Sequence, residues 1–563
     1  MTPHPAVPML VDARHLEENA RLAADLCIVG AGPAGLTIAR ELAGLRIDVL
    51  QLESGGLDSE VSAQDLDEGS LEGDAYAGLR STRHRGVGGT VRLWNTPVRG
   101  EPGAKYVPLD DADFLARPGV PHSGWPFDRP GLLPFYERAQ RICAIGPFDY
   151  DVGGEHESRR SPEFAGGNLV ARIYQLGRGH AFTGTNNATG SGRNPRSNPD
   201  TNRAANPGTN LSIVADADNV RLCHHTTVTA LRTSGRRVTS LDAVDSNGRP
   251  FRVEARATVL AGGAIENARL LLASPDSPWA DNEWVGRCFM EHPRDYSMTL
   301  QPVSPDLARD FGFFDTHEIR SPQGAGGKRL SAHAGPETAS REQPAVAHDD
   351  PPIVAGRIAL TSAAILDGPL PNASVTLLPR LRASPARGAI ARVRDALRAR
   401  AHSRATEGYG WSETPDPAAL YDAFRLILNV EQWPHPENRI TLGAGRDRSG
   451  LPRAVLHWRW RESDEHALER VRSLIANDIE DSGLGAIRRG TAPGIDPNAH
   501  HHAGTTRMHA DPRYGVVDAD GRVHGTDNLF VSGASLFPTA GFANPTLTIV
   551  ALAIRLADRL ATL

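Results

Sequence analysis

Leu26-Cys27-Ile28-Val29 is an apolar run that breaks at Gly30, Gly32 and Gly35, continues into a helical stretch, Pro33–Ala43, and is followed by a second apolar run, Ile47–Leu52, ending at Glu53. This order constrains the fold more than any other feature of the chain. It predicts a buried strand, a glycine turn, a helix and a second parallel strand. The glycines present bare backbone N–H groups at a helix N-terminus, where partial positive charge can meet a pyrophosphate without crowding from side chains. Glu53, eighteen residues past Gly35, stands at the end of the second strand, where an acid can accept from adenosine ribose hydroxyls. The unit predicts a dinucleotide site. Glycines that serve only a tight turn are the plainer alternative, disfavoured by the strand, helix and acid together. The unit itself does not choose between NAD and FAD.

With 563 residues the chain is too long for one ordinary core, which predicts two domains or one discontinuous large one. A formal charge of −6 over this length suggests neither nucleic acid nor an anionic membrane surface as partner. Cys27, Cys143, Cys223 and Cys288 are widely spaced and form no CxxC pair, so neither a disulfide framework nor a zinc site is indicated. No apolar run approaches the roughly 20 residues of a membrane span, and the N-terminus carries no basic stretch before an apolar core. A cytoplasmic address is expected.

From Leu211 to Ala261 the pattern becomes β-rich: Val220–Cys223, Thr227–Leu231, Val238–Val244 and Phe251–Val253, with turns at Ser234-Gly235-Arg236-Arg237 and Asn247-Gly248. These runs predict an antiparallel meander that feeds a further buried strand, Thr258–Ala261, and a helix, Glu266–Ala273. Gly190–Asn210 and Ser321–Pro352 read as flexible loops. Arg387–Arg404 reads as a solvated helical face. Ser463 is placed to cap a helix His466–Ile479, whose Leu468, Val471, Ile475 and Ile479 share one side.

The chemistry concentrates near the C-terminus. His500, His501 and His502 precede a Gly504-Thr505 turn, and Asn544-Pro545-Thr546 opens a terminal helix. A histidine near its free pKa of about 6.5 can accept a hydroxyl proton as hydride leaves the carbon. Asn544 offers an amide donor. Proline suits the first turn of a helix, whose positive end would favour a negatively charged ring. Alternation along an extended segment turns His500 and His502 away from His501 and leaves them structural or solvent-facing. A metal site built on the three histidines needs further converging ligands that the spacing does not supply.

These motifs together resemble the glucose-methanol-choline (GMC) family of FAD-dependent oxidoreductases, and within it the sugar-oxidising, pyranose oxidase-like branch. Gly86-Val87-Gly88-Gly89-Thr90 is similar to the family's second glycine loop, Ala261–Arg269 to its second signature, and Asp518–Val531 to its closing strand. The resemblance implies bound FAD. Its contacts would be Gly30, Gly32, Ala34, Gly35, Glu53, Ser54, Gly88, Gly89, Thr90, Leu93, Val228 at the adenine, Ala261, Gly262, Gly533, Ala534, Asn544, Pro545 and Thr546. Leu93 occupies the position where several members carry a flavin-linked histidine, so FAD is expected to be held non-covalently. Counting three residues back from Gly504 selects His501 as the base, with Asn544 as its partner, and no metal is implied.

Phe289-Met290-Glu291-His292-Pro293, Glu431-Gln432-Trp433-Pro434 with Asn438-Arg439, and Ser123-Gly124-Trp125-Pro126 with Tyr136-Glu137 resemble segments of the sugar-oxidising branch and read equally well as packing motifs. The fold implied is α/β: a Rossmann-like FAD-binding domain with a β-meander (residues 1–110, 205–295 and 495–563), interleaved with a substrate domain (111–204 and 296–494) on a mixed sheet with helices. The activity implied is oxidation of an alcohol of a sugar, aminosugar or sugar-containing compound. Oxygen, or a diffusible or protein acceptor, would take the electrons, with an oxidase slightly favoured. Alternatives are a non-redox FAD-containing lyase and a dehydrogenase of a non-sugar alcohol.

Overall fold

The computed structural model describes residues 9–152, 159–183, 210–319, 351–382, 397, 410–490 and 495–563. The stretches Gly190–Asn210, Ser321–Pro352 and Arg387–Arg404 lie outside them, apart from Asn210, Pro351, Pro352 and Leu397. Asn210 is not loop: it opens a short helix, Asn210–Ala215, and its side-chain amide donates to the carbonyl of Ile142 at 3.2 Å.

Eight strands form the first sheet, in the order Leu10–Asp12, Val220–His224, Val49–Leu52, Arg21–Val29, Pro250–Leu260, Arg237–Asp245, Thr226–Ser234, with Leu529–Val531 also beside Pro250–Leu260. Pairings from Leu10–Asp12 through Pro250–Leu260, and with Leu529–Val531, are parallel. Thr226–Ser234, Arg237–Asp245 and the start of Pro250–Leu260 form the antiparallel meander. Two expectations change here. Val220–His224 belongs to the parallel part, because His225 at φ +58° turns the chain before the meander begins. Phe251–Val253 and Thr258–Leu260 are one strand of 11 residues, long enough to pair with the meander at one end and with Leu529–Val531 at the other.

The helix Pro33–Leu42 follows from Pro33 at its first turn and from a stripe of apolar residues. Ile38 and Leu42 pack with Leu26, Ile28 and Val259 of the sheet and with Ala553 and Leu556 of the terminal helix, Thr546–Leu560. Gly35 is where helix and strand touch: a Cβ there would lie 2.1 Å from the carbonyl oxygen of Gly30. The Glu462–Asp481 helix begins earlier than expected. Ser463 lies inside its first turn, and Asp464 accepts instead from the Arg461 N–H at 2.9 Å. Leu468, Val471, Ile475 and Ile479 are buried together.

The second sheet has nine strands, ordered Gly485–Arg489, Arg294–Pro302, Tyr421–Val430, Ala373–Leu381, Ile353–Leu360, Leu169–Arg178, Glu101–Tyr106, Thr96–Val98, with Thr316–Glu318 beside Ile353–Leu360. Every described pairing in it is antiparallel. The mixture of parallel and antiparallel pairs expected on this side belongs to the first sheet. The hairpin Thr96–Tyr106, placed before the expected boundary at 110, bonds into the second sheet through Leu169–Arg178. A third sheet joins Arg439–Arg446, Pro452–Trp458 and Ser70–Gly73. Among the described residues no helix is long and apolar enough to cross a membrane.

Candidate active site

A cavity of about 650 Å³ opens where residues of the first and second sheets meet. Gly30, Gly32, Ala34, Glu53, Ser54, Gly89, Thr90, Leu93, Val228, Ala261, Gly262, Gly533, Ala534, Asn544, Pro545, Thr546 and His501 all line it. Gly35 and Gly88 do not. Gly35 is consumed by the helix–strand contact, and Gly88, at φ +95°, donates its N–H to the carbonyl of Ala31 at 2.8 Å and so ties the two glycine loops together.

Three helices begin at the cavity wall, at Gly32, Gly262 and Pro545, and no side chain caps any of them. Their first-turn N–H groups are available to an anionic ligand. The Glu53 carboxylate is largely spent on the protein: Oε2 accepts from the Ala31 N–H at 2.8 Å, and Oε1 from the N–H groups of Gly55 and Gly86 at 3.0 and 3.1 Å. It holds the first glycine turn against the second. Oε1 is filled by its two N–H donors, and Oε2 keeps a further lone pair for a ligand hydroxyl.

The histidine run is positioned by two short segments zipped together. Met290 and Ala503 exchange backbone hydrogen bonds at 3.0 and 3.1 Å, laying Glu291-His292 alongside His501-His502. Gly504, at φ +89°, permits this: a Cβ there would lie 2.1 Å from the Cys288 carbonyl oxygen. His501 Nε2 then lies 3.1 Å from Asn544 Nδ2, and its Nδ1 lies 2.9 Å from His292 Nδ1.

These contacts fix the protons. A carbonyl only accepts, so His292 Nε2, 3.2 Å from the Ala540 oxygen, carries hydrogen. Burial pushes the His292 pKa down to about 4, so the ring is neutral and its Nδ1 is an acceptor. His501 Nδ1 must therefore donate. Burial, then the neighbouring His292, Arg294, His500 and His502, hold His501 well below the usual histidine range. Its Nε2 is left with a bare lone pair that receives the Asn544 amide. The arrangement offers a base at Nε2 and a donor from Asn544 at one point of the cavity wall.

In the sequence, Glu291 and His292 belong to a segment that resembles the sugar-oxidising branch and reads equally well as packing, with no catalytic role assigned. The Glu291 carboxylate accepts from the backbone N–H groups of His501 at 3.0 Å and His292 at 3.1 Å, and from the Tyr76 hydroxyl at 2.5 Å. Burial raises its pKa to about 7 despite those donors. Gln432 anchors the same segment, accepting from the Glu291 N–H at 3.2 Å and from Trp458 Nε1 at 3.0 Å. Glu431 forms a fully buried pair with Arg117, and Trp125 donates to Thr539 at 3.1 Å. The three motifs thus converge around the histidines. His502 also lines the cavity, but its side chain is only 9% exposed and Nε2 meets the Tyr76 hydroxyl at 2.9 Å. His500 lines the cavity, because φ +61° there breaks the extended alternation.

A family model described as GMC oxidoreductase matches residues 434–553, the stretch that carries His501 and Asn544. That stretch of the chain is a GMC oxidoreductase domain. It is 25% identical over 573 residues to paromamine 6'-oxidase of Streptomyces fradiae, spanning 95% of this chain and 91% of that one. It is 24% identical over 580 residues to 6'''-hydroxyparomomycin C oxidase of Streptomyces lividus, spanning 96% and 91%. A crystal structure of formate oxidase superposes with a TM-score of 0.51 at 15% identity, covering 97% of this chain and 99% of that one, so the fold is shared.

GMC oxidoreductases are FAD-dependent, and FAD is the cofactor of this one. The residues present fit it. Three uncapped helix N-termini face the cavity, and Gly32 leaves room beside Gly89, whose Cα is the nearest neighbour of an added Cβ at 3.9 Å. Bulk at Gly32 would fill the space a pyrophosphate needs.

Proposed function

We propose that this GMC oxidoreductase oxidises an alcohol group of a carbohydrate or carbohydrate-containing compound to a carbonyl, with His501 as base and Asn544 as the group that orients the substrate oxygen. The observation that carries the reading is the unprotonated Nε2 of His501, paired with the Asn544 amide on the cavity wall, where a substrate hydroxyl can take the place of that contact. FAD, when bound, supplies the hydride acceptor. Gly30, Gly32, Ala34, Ala261 and Gly262 would hold its nucleotide half, and Gly89, Thr90, Leu93, Gly533, Ala534, Pro545 and Thr546 its ring system.

His501 Nε2 takes the hydroxyl proton, a transfer that supplies typically 10²–10⁴-fold in rate. The resulting imidazolium keeps its Nδ1–H on His292, and the ionised Glu291 beside its backbone offsets the charge. Asn544 donates to the substrate oxygen, whose negative charge grows as the proton leaves. Tyr76 and Phe289 pack against the His502 ring, with Trp458 against Tyr76.

The carbohydrate class is supported by the two relatives, whose names specify paromamine and hydroxyparomomycin C. The division into a cofactor unit on the first sheet and a substrate unit on the second is part of the same proposal. We favour oxygen as the electron acceptor, because the proton left on His501 places positive charge at the cavity; hydrogen peroxide should then form in step with alcohol oxidised in air. The test of function is anaerobic: a carbohydrate panel should bleach the flavin absorbance. Bleaching by long-chain or aromatic alcohols and by no carbohydrate would overturn it.

A further inference from the structure

The second sheet contributes a cavity wall with an unusual charge balance. Arg294 and Tyr296 lie two apart on one strand, and Ile427 and Asn429 two apart on its neighbour, so each pair shares a face. Arg294 pairs in register with Asn429, and Thr376 with Ile427. Lys105, from Glu101–Tyr106, reaches the same wall and donates from Nζ to Thr376 Oγ1 at 3.1 Å. Its ammonium lies 4.7 Å from the centroid of the Tyr174 ring, which also carries Arg357 at 5.4 Å.

Among the described residues no carboxylate pairs with Lys105. The acids that line the cavity are committed elsewhere: Asp67 to Arg83 and Arg85 at 3.2 and 2.7 Å, Glu266 to Arg83 and Arg85 at 2.6 Å each, and Glu53 to backbone amides. Arg294 has partial compensation, with Asp496 at 3.7 Å from its Nε and the Asn498 carbonyl accepting from its guanidinium. Burial pushes the Lys105 pKa down from its ordinary value, and Arg294 adds to the effect. A half-buried ammonium on a cavity wall, held by a hydroxyl and a ring face but by no carboxylate, has donors left for a ligand acceptor. This wall belongs to the second sheet, whereas the residues assigned to FAD are outside it, so the substrate is the partner proposed for it.

We propose, resting on the carbohydrate reading above, that Lys105 is a specificity-determining residue: with Asn429 and Tyr296 it binds oxygen acceptors of the sugar and selects neutral or carboxylate-bearing glycosides over those carrying an ammonium group. A hydroxyl or carboxylate oxygen accepts from the Lys105 ammonium, whereas an aminosugar places a second cation beside Lys105 and Arg294. On this proposal the chain prefers neutral or acidic sugars where the two relatives' names specify amine-bearing ones.

The test is equilibrium binding to the FAD-loaded His501→Ala protein, in which turnover is suppressed, by calorimetry with methyl glucuronide, methyl glucoside and methyl glucosaminide. The glucuronide should bind at least about 10-fold more tightly than the glucosaminide, about 1.4 kcal/mol, with the glucoside between them. Adding Lys105→Met should bring that ratio toward one, and Lys105→Arg should restore it, while all three proteins retain FAD. A glucosaminide that binds as tightly as the glucuronide, or a ratio unmoved by Lys105→Met, overturns the proposal. If either Lys105 variant fails to fold, the charge order in the Lys105-containing protein still decides it. Binding and flavin bleaching by all three sugars without regard to charge would remove this proposal and leave the carbohydrate reading intact. No response to any sugar would remove both.

Discussion

His292 Nδ1 lies 2.9 Å from His501 Nδ1, across 209 residues of sequence. Two neutral imidazoles can share such a contact only if one nitrogen carries the hydrogen, and the Ala540 carbonyl at 3.2 Å from His292 Nε2 decides which. The direction passes from Ala540 through His292 to His501, leaving Nε2 of His501 free to accept. With His501 as the proposed base, His292 is a positioning residue: it acts on that base and not on the substrate.

Replacing His292 by Leu removes the acceptor that fixes the His501 tautomer. Flavin reduction at saturating sugar should slow by about 10–100-fold, the cost of losing an orienting hydrogen bond, with KM changed much less and FAD retained. His292→Gln can present an amide oxygen to His501 Nδ1–H and should recover much of the rate. Equal losses in Leu and Gln, or a loss confined to KM, would show that His292 only fills space.

The pH profile should separate two groups. Because the His501 pKa is depressed, the base stays unprotonated as pH falls through 6.5, the value for a free histidine, and the reduction rate should collapse only at more acid pH. Glu291 is raised to about 7. Its ionisation stabilises the imidazolium formed during proton transfer, so the rate should rise as pH passes through that region, and Glu291→Gln should abolish the inflection. An acid limb at or above 6.5 that survives Glu291→Gln would contradict the assignment.

FAD should be released when the protein is precipitated with acid. Leu93 ends the short helical turn Gly89–Leu93 and lines the cavity, but its side chain has no nucleophile to bond the ring. Flavin absorbance should appear in the supernatant; yellow colour retained in the pellet would mean that another residue, His84 on the same wall being nearest in sequence, forms a link.

The parts of this site that were legible in sequence are the parts governed by local geometry. Gly30 to Glu53 could be read because a strand, a turn and a helix are each defined within a few residues. His501 and Asn544 are selected by what the family resemblance implies at their offsets from Gly504 and Pro545. Glu291 and His292 could not be assigned roles, since nothing local reveals that Met290 will pair with Ala503. Signals were present all the same: a glutamate and a histidine side by side in an apolar segment, Phe289-Met290, ask for partners once buried. The direction of strands in the second sheet was likewise invisible, because it depends on which distant strands become neighbours. His500 departed from alternation through one left-handed residue, a backbone choice that histidine does not advertise.

The account rests on His501 as the base, and the direct measurement is the rate of anaerobic flavin reduction by a sugar substrate in His501→Ala, with His502→Ala as control. His501→Ala should keep its FAD and lose roughly two to four orders of magnitude in rate. His502→Ala should lose far less, since that ring contacts Tyr76 and Glu291 behind the base. Reduction that is near normal in His501→Ala and abolished in His502→Ala would contradict the assignment of the base.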